Sequence, residues 1–362
     1  MAGGVLLARS LGWCGAPQRC AALVRRPPGL WARRGLSGRS GAGGSAMERG
    51  LVSCEWLRDE LNKEGSDPIR VVDATWYLPG SPFAAPEGSD GAQAEYLAGP
   101  RLPGAVFFDI DGVSSPHPAG LPHMLPSEET FSAAMAALGI ERSTRVVAYD
   151  RHGIFSAPRF WYTLKVAFGH PSDVAVLDGG LPRWKELGLP LEEGALPLPP
   201  APAPVASWQR VPGSAWSVEE VVRNVEAKEA LLVDARPSGR FLGTVPEPRP
   251  GMRGGHIPGS VNVPFLDLLT APPRMLRPPE ELHERLKAAG VSVDKLSAAG
   301  ESPIVTSCGS GLTACIVGLA LRQLEMPFSR WAVYDGSWSE WGARSDTPIL
   351  RQGEDGKEEA VP

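Results

Sequence analysis

The chain has 362 residues, 43% hydrophobic and 21% charged, with a formal net charge of −5. That is ordinary globular usage, and long enough for about two domains with cores of their own. The absence of any long apolar run excludes a transmembrane helix. Five cysteines without a Cys-x-x-Cys pair, and histidines scattered at 117, 123, 152, 170, 256 and 283, exclude a disulfide framework and a structural zinc site.

Residues 1–46 contain seven arginines, no lysine and no acid. Val5, Leu6, Leu7 and Leu11 can share one helix side while Arg9 faces elsewhere, as in a mitochondrial transit peptide. The expected location is the mitochondrial matrix, and Met47 offers a second start for a cytoplasmic form. Subtracting the seven arginines from −5 leaves −12 for residues 47–362. So acidic a body disfavours nucleic acid as a partner and requires a local cluster of positive charge for any anionic substrate.

Past the leader, Val71-Val72 and Val146–Tyr149 read as strands, and Glu128–Leu138 and Ala157–Phe168 as helices. Seven prolines between Leu189 and Gly213 predict an extended, semi-stiff connector. Beyond it, Val218–Ala227, Glu280–Ala289 and Leu312–Leu324 have helical periodicity, and Leu231–Val233 and Ile304–Thr306 read as strands. Gly353–Pro362 reads as an acidic, disordered end to a tail spanning 346–362. Strand–helix alternation implies parallel sheets covered on both faces.

The two halves are copies. Val71-Val72-Asp73-Ala74 matches Leu232-Val233-Asp234-Ala235, and Leu102–Val106 matches Ile257–Val261. Leu177-Asp178-Gly179-Gly180 matches Tyr334-Asp335-Gly336-Ser337, so the offsets are 161, 155 and 157. Each unit is domain-sized, which predicts a tandem duplication over 50–188 and 214–345 rather than a solenoid.

The chemistry concentrates in Cys308-Gly309-Ser310-Gly311-Leu312-Thr313, a loop between a strand and a helix. Small residues there let backbone N–H groups turn inward as an anion nest, which favours a thiolate. The corresponding residue in the first copy is Asp150, so only the second copy carries a nucleophile. Cys315 reads as a packed thiol, and Cys54 as an exposed, oxidisable one. There is no nucleotide-loop spacing at Gly309-Ser310-Gly311.

This loop, the Gly255-His256-Ile257-Pro258-Gly259 turn and the closing Tyr334-Asp335-Gly336-Ser337-Trp338 resemble the tandem rhodanese-domain sulfurtransferases. Within that family the likeness is greatest to the 3-mercaptopyruvate sulfurtransferases. The resemblance implies two parallel-sheet domains with helices on both faces, the second catalytic, and no cofactor or metal. It implies a Cys308 persulfide that takes sulfur from mercaptopyruvate, releases pyruvate and passes the sulfur to thioredoxin, another thiol or cyanide, with hydrogen sulfide as a potential product. Arg240 and Arg249 match the residues that grip the substrate's carboxylate and keto oxygen, and Gly309, Gly311, Leu312 and Thr313 line the nest. Ser310, with His123 and Asp111 from the first copy, matches a proton relay; Arg236 and His256 read as structural. Thiosulfate-specific relatives carry Arg and Lys after the cysteine, where Gly309 and Ser310 stand here. Thiosulfate transfer and a non-catalytic sulfur-carrier module are the alternative functions. A related phosphatase chemistry needs Cys-x5-Arg, and Ala314 occupies the arginine's position.

Overall fold

Two open sheets built to one plan organise the protein, a computed structural model of which describes residues 46–65, 67–194, 206–295, 302–353 and 355–361. All but the last residue of the expected leader (1–46) and the middle of the connector (195–205) lie outside the described residues. The first sheet contains β1 (Leu51–Val52), β2 (Ile69–Asp73), β3 (Val106–Phe107), β4 (Arg145–Tyr149) and β5 (Val174–Leu177) in the order β1-β5-β4-β2-β3. The second contains β6 (Ala215–Trp216), β7 (Leu231–Asp234), β8 (Val261–Asn262), β9 (Ile304–Ser307) and β10 (Trp331–Tyr334) in the order β6-β10-β9-β7-β8. Every pairing in both sheets is parallel. The central strands carry buried apolar pairs, Val71-Val72, Val146-Val147, Leu232-Val233 and Ile304-Val305, because helices cover both faces.

Register explains where the site falls. Asp73 pairs with Tyr149 in the first sheet, and Asp234 with Ser307 in the second. The next residues, Asp150 and Cys308, therefore leave equivalent strands at their carboxyl ends, where open α/β sheets gather ligands.

One hydrophobic cluster runs through both repeats. It includes Phe155, Trp161 and Tyr162 of the first and Phe265, Leu312, Ile316 and Trp331 of the second. Trp161 stacks on Trp331 with ring centroids 5.6 Å apart. Gly318 makes room in the helix Ala314–Gln323, since a Cβ there would sit 1.8 Å from the Trp331 ring.

The expected helices form, with caps that hydropathy alone does not mark. Ser217 and Glu220 form a reciprocal capping box on Val218–Ala227, and Ser127 caps Glu128–Ala137. The segment from Ala157 is α-helical only to Trp161 and continues as a wider π turn over Tyr162–Ala167, where the Thr163 hydroxyl donates to the Arg159 carbonyl.

Three features differ from expectation. The acidic end is not a free tail: β11 (Ile349–Gln352) and β12 (Glu358–Val361) form an antiparallel ladder. Buried Ile349 anchors it, Leu350 exchanges two backbone hydrogen bonds with His256, and Arg351 pairs with Glu359, offsetting the acidity that suggested disorder. Cys54 is 1% exposed at the start of helix Cys54–Leu61, and burial pushes its thiol up to about 12, so it is not an oxidisable surface group. The connector's described flanks are built into the fold, with Trp208 buried against Phe131 and His170 and Glu192 bridged to Arg101.

Candidate active site

Cys308 follows β9 and lines a cleft of about 380 Å³ between the repeats. Trp76, Leu78 and Phe155 form the first-repeat wall; Arg240, Arg249, Phe265 and the Cys308 loop form the second. Ser310, Leu312 and Thr313 also face this space, and Gly311 adopts φ +75°, a turn that favours glycine.

The closing motif fixes the loop from behind. Cys308 donates its N–H to the Ser337 hydroxyl at 3.3 Å, and the Cys308 carbonyl accepts from Trp338. Ser339 donates both its N–H and its hydroxyl to the Gly309 carbonyl. The first repeat displays the electrostatic character of such a loop. There the Asp150 carboxylate accepts backbone N–H groups from His152, Phe155, Ser156 and Ala157 at 2.8–2.9 Å. An anion thus occupies the position equivalent to the thiol, held by the loop's own amides.

Arg240 and Arg249 converge on Gly309. A Cβ at that position would lie 3.4 Å from Arg240 Nη2 and 4.0 Å from Arg249 Nη1. Arg240 is fixed by Nε and Nη2, which both donate to Glu247 Oε2, and Arg249 donates to the Ser339 hydroxyl at 2.9 Å. Burial, reinforced by Arg240, lowers the Arg249 guanidinium from its ordinary value, against an opposing pull from Cys308. Guanidinium remains a cation under such pressure at neutral pH.

Arg236 stands behind them. It pairs with Asp234 at 2.6 Å and Glu247 at 2.7 Å and stacks over Trp338 at 3.9 Å. It orders the clamp more than it faces substrate. His256 likewise supports its turn, with Nδ1 2.9 Å from the Phe241 carbonyl and its ring stacked on Phe241. Cys315 is buried 3.4 Å from the Gly311 carbonyl, and burial pushes its thiol up to about 12, which makes it a packing group.

The two repeats bring Asp111, His123 and Ser310 together. His123 Nδ1 lies 2.8 Å from Ser310 Oγ, and its Nε2 lies 3.2 Å from Asp111 Oδ1. The other Asp111 oxygen accepts from the Trp76 indole, and the Trp76 and His123 rings meet edge to face at 4.5 Å. Contact with His123 holds the Asp111 carboxyl below its ordinary value, so it is anionic at neutral pH.

Sequence reading missed four contributors. Trp76 and Phe155 bear no motif, and apolar residues at strand ends are read as core. Glu247 sits inside the arginine segment but needs geometry to be recognised as the brace for Arg236 and Arg240. Arg159, on a buried helix, reaches Gly311 and pairs with Asp335, as described below.

Comparison with known proteins agrees with this architecture. The Rhodanese-like domain family model matches residues 53–187 and again 217–344. The chain is 42% identical over 300 residues to the 3-mercaptopyruvate sulfurtransferase of Escherichia coli (strain K12), covering 83% of this chain and 97% of that one. It is 38% identical over 347 residues to the mitochondrial thiosulfate/3-mercaptopyruvate sulfurtransferase 1 of Arabidopsis thaliana, covering 88% and 84%. Among solved structures, SseA from Escherichia coli, a 3-mercaptopyruvate sulfotransferase, superposes with a TM-score of 0.64 at 36% identity, covering 80% of this chain and 99% of that one.

Proposed function

The chain belongs to the Rhodanese-like domain family and is a sulfur-transferring enzyme, and from that premise we propose that Cys308 takes sulfur from 3-mercaptopyruvate and passes it to a thiol. The convergence of Arg240 and Arg249 on Gly309, beside the thiol, carries this reading. The arginine forks suit the carboxylate of a 2-oxo acid, and Gly309 and Ser310 add none of the side-chain charge that would suit dianionic thiosulfate.

In the proposed reaction the Cys308 thiolate attacks the mercapto sulfur. An S–S bond forms, the C–S bond breaks, and its electron pair passes into the enolate of pyruvate. The Ser310 hydroxyl supplies the proton at the methylene carbon and is reprotonated through His123, with Asp111 holding the imidazole. Cys308 then carries a persulfide. An acceptor thiolate, from thioredoxin or a small thiol, attacks the outer sulfur and releases the Cys308 thiolate. A second acceptor thiol can resolve the new persulfide to a disulfide, releasing hydrogen sulfide.

Cys308→Ser is expected to abolish pyruvate release from mercaptopyruvate while leaving the fold intact by circular dichroism; near-native turnover would refute the mechanism. Measured in the parent enzyme, kcat/KM is expected to favour mercaptopyruvate over thiosulfate.

The arginine-rich, acid-free composition of residues 1–46 and the mitochondrial relative support import into mitochondria, with a form starting at Met47 in the cytoplasm. A reporter fused behind residues 1–46 should enter mitochondria; a purely cytosolic reporter would contradict this.

A further inference from the structure

The repeats exchange loops. The loop before helix Glu128–Ala137 carries His123, and the loop before helix Pro279–Ala288 carries Arg274, each five residues ahead of its helix. These two residues share a left-handed backbone, φ 60° and 59°. Each reaches the other repeat: His123 meets Ser310, and Arg274 Nη1 donates to the His152 carbonyl at 3.3 Å. Two residues further on, Leu125 donates its N–H to Asp335 and Leu276 donates its N–H to Asp178, both at 2.8 Å.

The symmetry breaks at one place. At the catalytic joint Arg159, 3% exposed, pairs with Asp335 Oδ1 at 2.8 Å, donates to the Gly311 carbonyl at 3.1 Å and donates to the His123 carbonyl. In the other repeat the equivalent helix position is Ile316, two residues after Ala314 as Arg159 is two after Ala157. One guanidinium therefore joins the histidine loop, the cysteine loop and the aspartate that anchors Leu125. Burial alone would lower the Arg159 pKa, but Asp335 raises it, so the charge is retained.

We infer that the Arg159–Asp335 pair is the positioning device that holds the exchanged loop against the Cys308 loop and sets the His123–Ser310 distance. Neither residue lines the cleft that Cys308 faces. A buried pair that also holds two backbone carbonyls is a poor way to gain stability and a good way to fix one geometry. The inference rests on the relay reading given above and adds the groups that align it.

The test is steady-state kinetics on full-length Arg159→Met, Asp335→Asn, His123→Ala and the Arg159→Met/His123→Ala double variant, with Asp178→Asn as the mirror-position control. Arg159→Met and Asp335→Asn should lower kcat on the order of 10²-fold with KM nearly unchanged, because the carboxylate clamp is separate. The double variant should fall no further than His123→Ala, and Asp178→Asn should retain parental kcat. Additive losses in the double variant, or equal losses for Asp178→Asn and Asp335→Asn, would overturn the inference in favour of a general packing role. So would parental kcat in folded Arg159→Met. Parental kcat in His123→Ala would instead overturn the relay itself. If Arg159→Met fails to fold, Asp335→Asn, which keeps an acceptor for Leu125, decides between these outcomes.

Discussion

At the scale of single residues, the proposed substrate choice lies in what surrounds Gly309 rather than in the nucleophile. Arg240 is partly exposed to the cleft yet braced by the buried Glu247, so it is presented to a ligand already ordered. Removing it would leave the carboxylate of the proposed substrate with half its clamp, and Glu247 without one of its two arginine partners. Arg240→Ala should weaken binding by about 2–4 kcal/mol, read as a large rise in KM for mercaptopyruvate with a smaller change in kcat. An unchanged KM would remove Arg240 from the clamp. This arginine pair was legible in the sequence because it flanks a short motif. Glu247 was not, because a buried carboxylate bridging two guanidiniums is defined by three side chains meeting in space.

At the scale of elements, the exchanged loops are the informative pieces. Periodicity located the central strands and the helices Glu128–Ala137 and Val218–Ala227 closely, since apolar spacing directly reports which face is buried. It was silent about the proline- and glycine-rich stretches that carry His123 and Arg274, whose paths depend on the opposite repeat. It also misread the acidic end, where one buried isoleucine and a cross-strand ion pair are enough to close a ladder. The anchors of the two loops differ in a measurable way. At Asp178 burial outweighs the opposing pulls of the Leu276 N–H and the Arg183 guanidinium and pushes the carboxyl from 3.8 up to about 6. The native protein then holds a proton that the unfolded chain releases between those values. Its contribution favours folding below about pH 4 and is lost as pH rises through 6. Asp178→Asn keeps the acceptor for Leu276 and removes the titration. Its Tm should exceed that of the parent above pH 6, and the gap should close towards pH 4. A pH-independent difference would show that Asp178 does not titrate there.

At the scale of the whole molecule, duplication was the most legible feature. Three matched segments with nearly constant offset predicted two copies, and the sheets repeat the same strand order. Composition could not reveal that the copies share a continuous core, or that the candidate site is lined from both. The repeat with Asp150 in place of the loop cysteine therefore contributes more than scaffold to the candidate site. It supplies Asp111, His123, Arg159 and the aromatic wall of the cleft, while its own loop uses Asp150 as an internal anion.

The loop exchange has a consequence for how the enzyme behaves at low concentration. A site completed by a second copy of a domain would fall apart on dilution, as any bimolecular assembly does. Joining the copies in one chain replaces that dependence with a fixed local concentration set by the connector. Turnover per molecule is then expected to be insensitive to how much enzyme a compartment contains, even though two of the three groups of the proposed relay, Asp111 and His123, come from the repeat with Asp150 in the nucleophile's place.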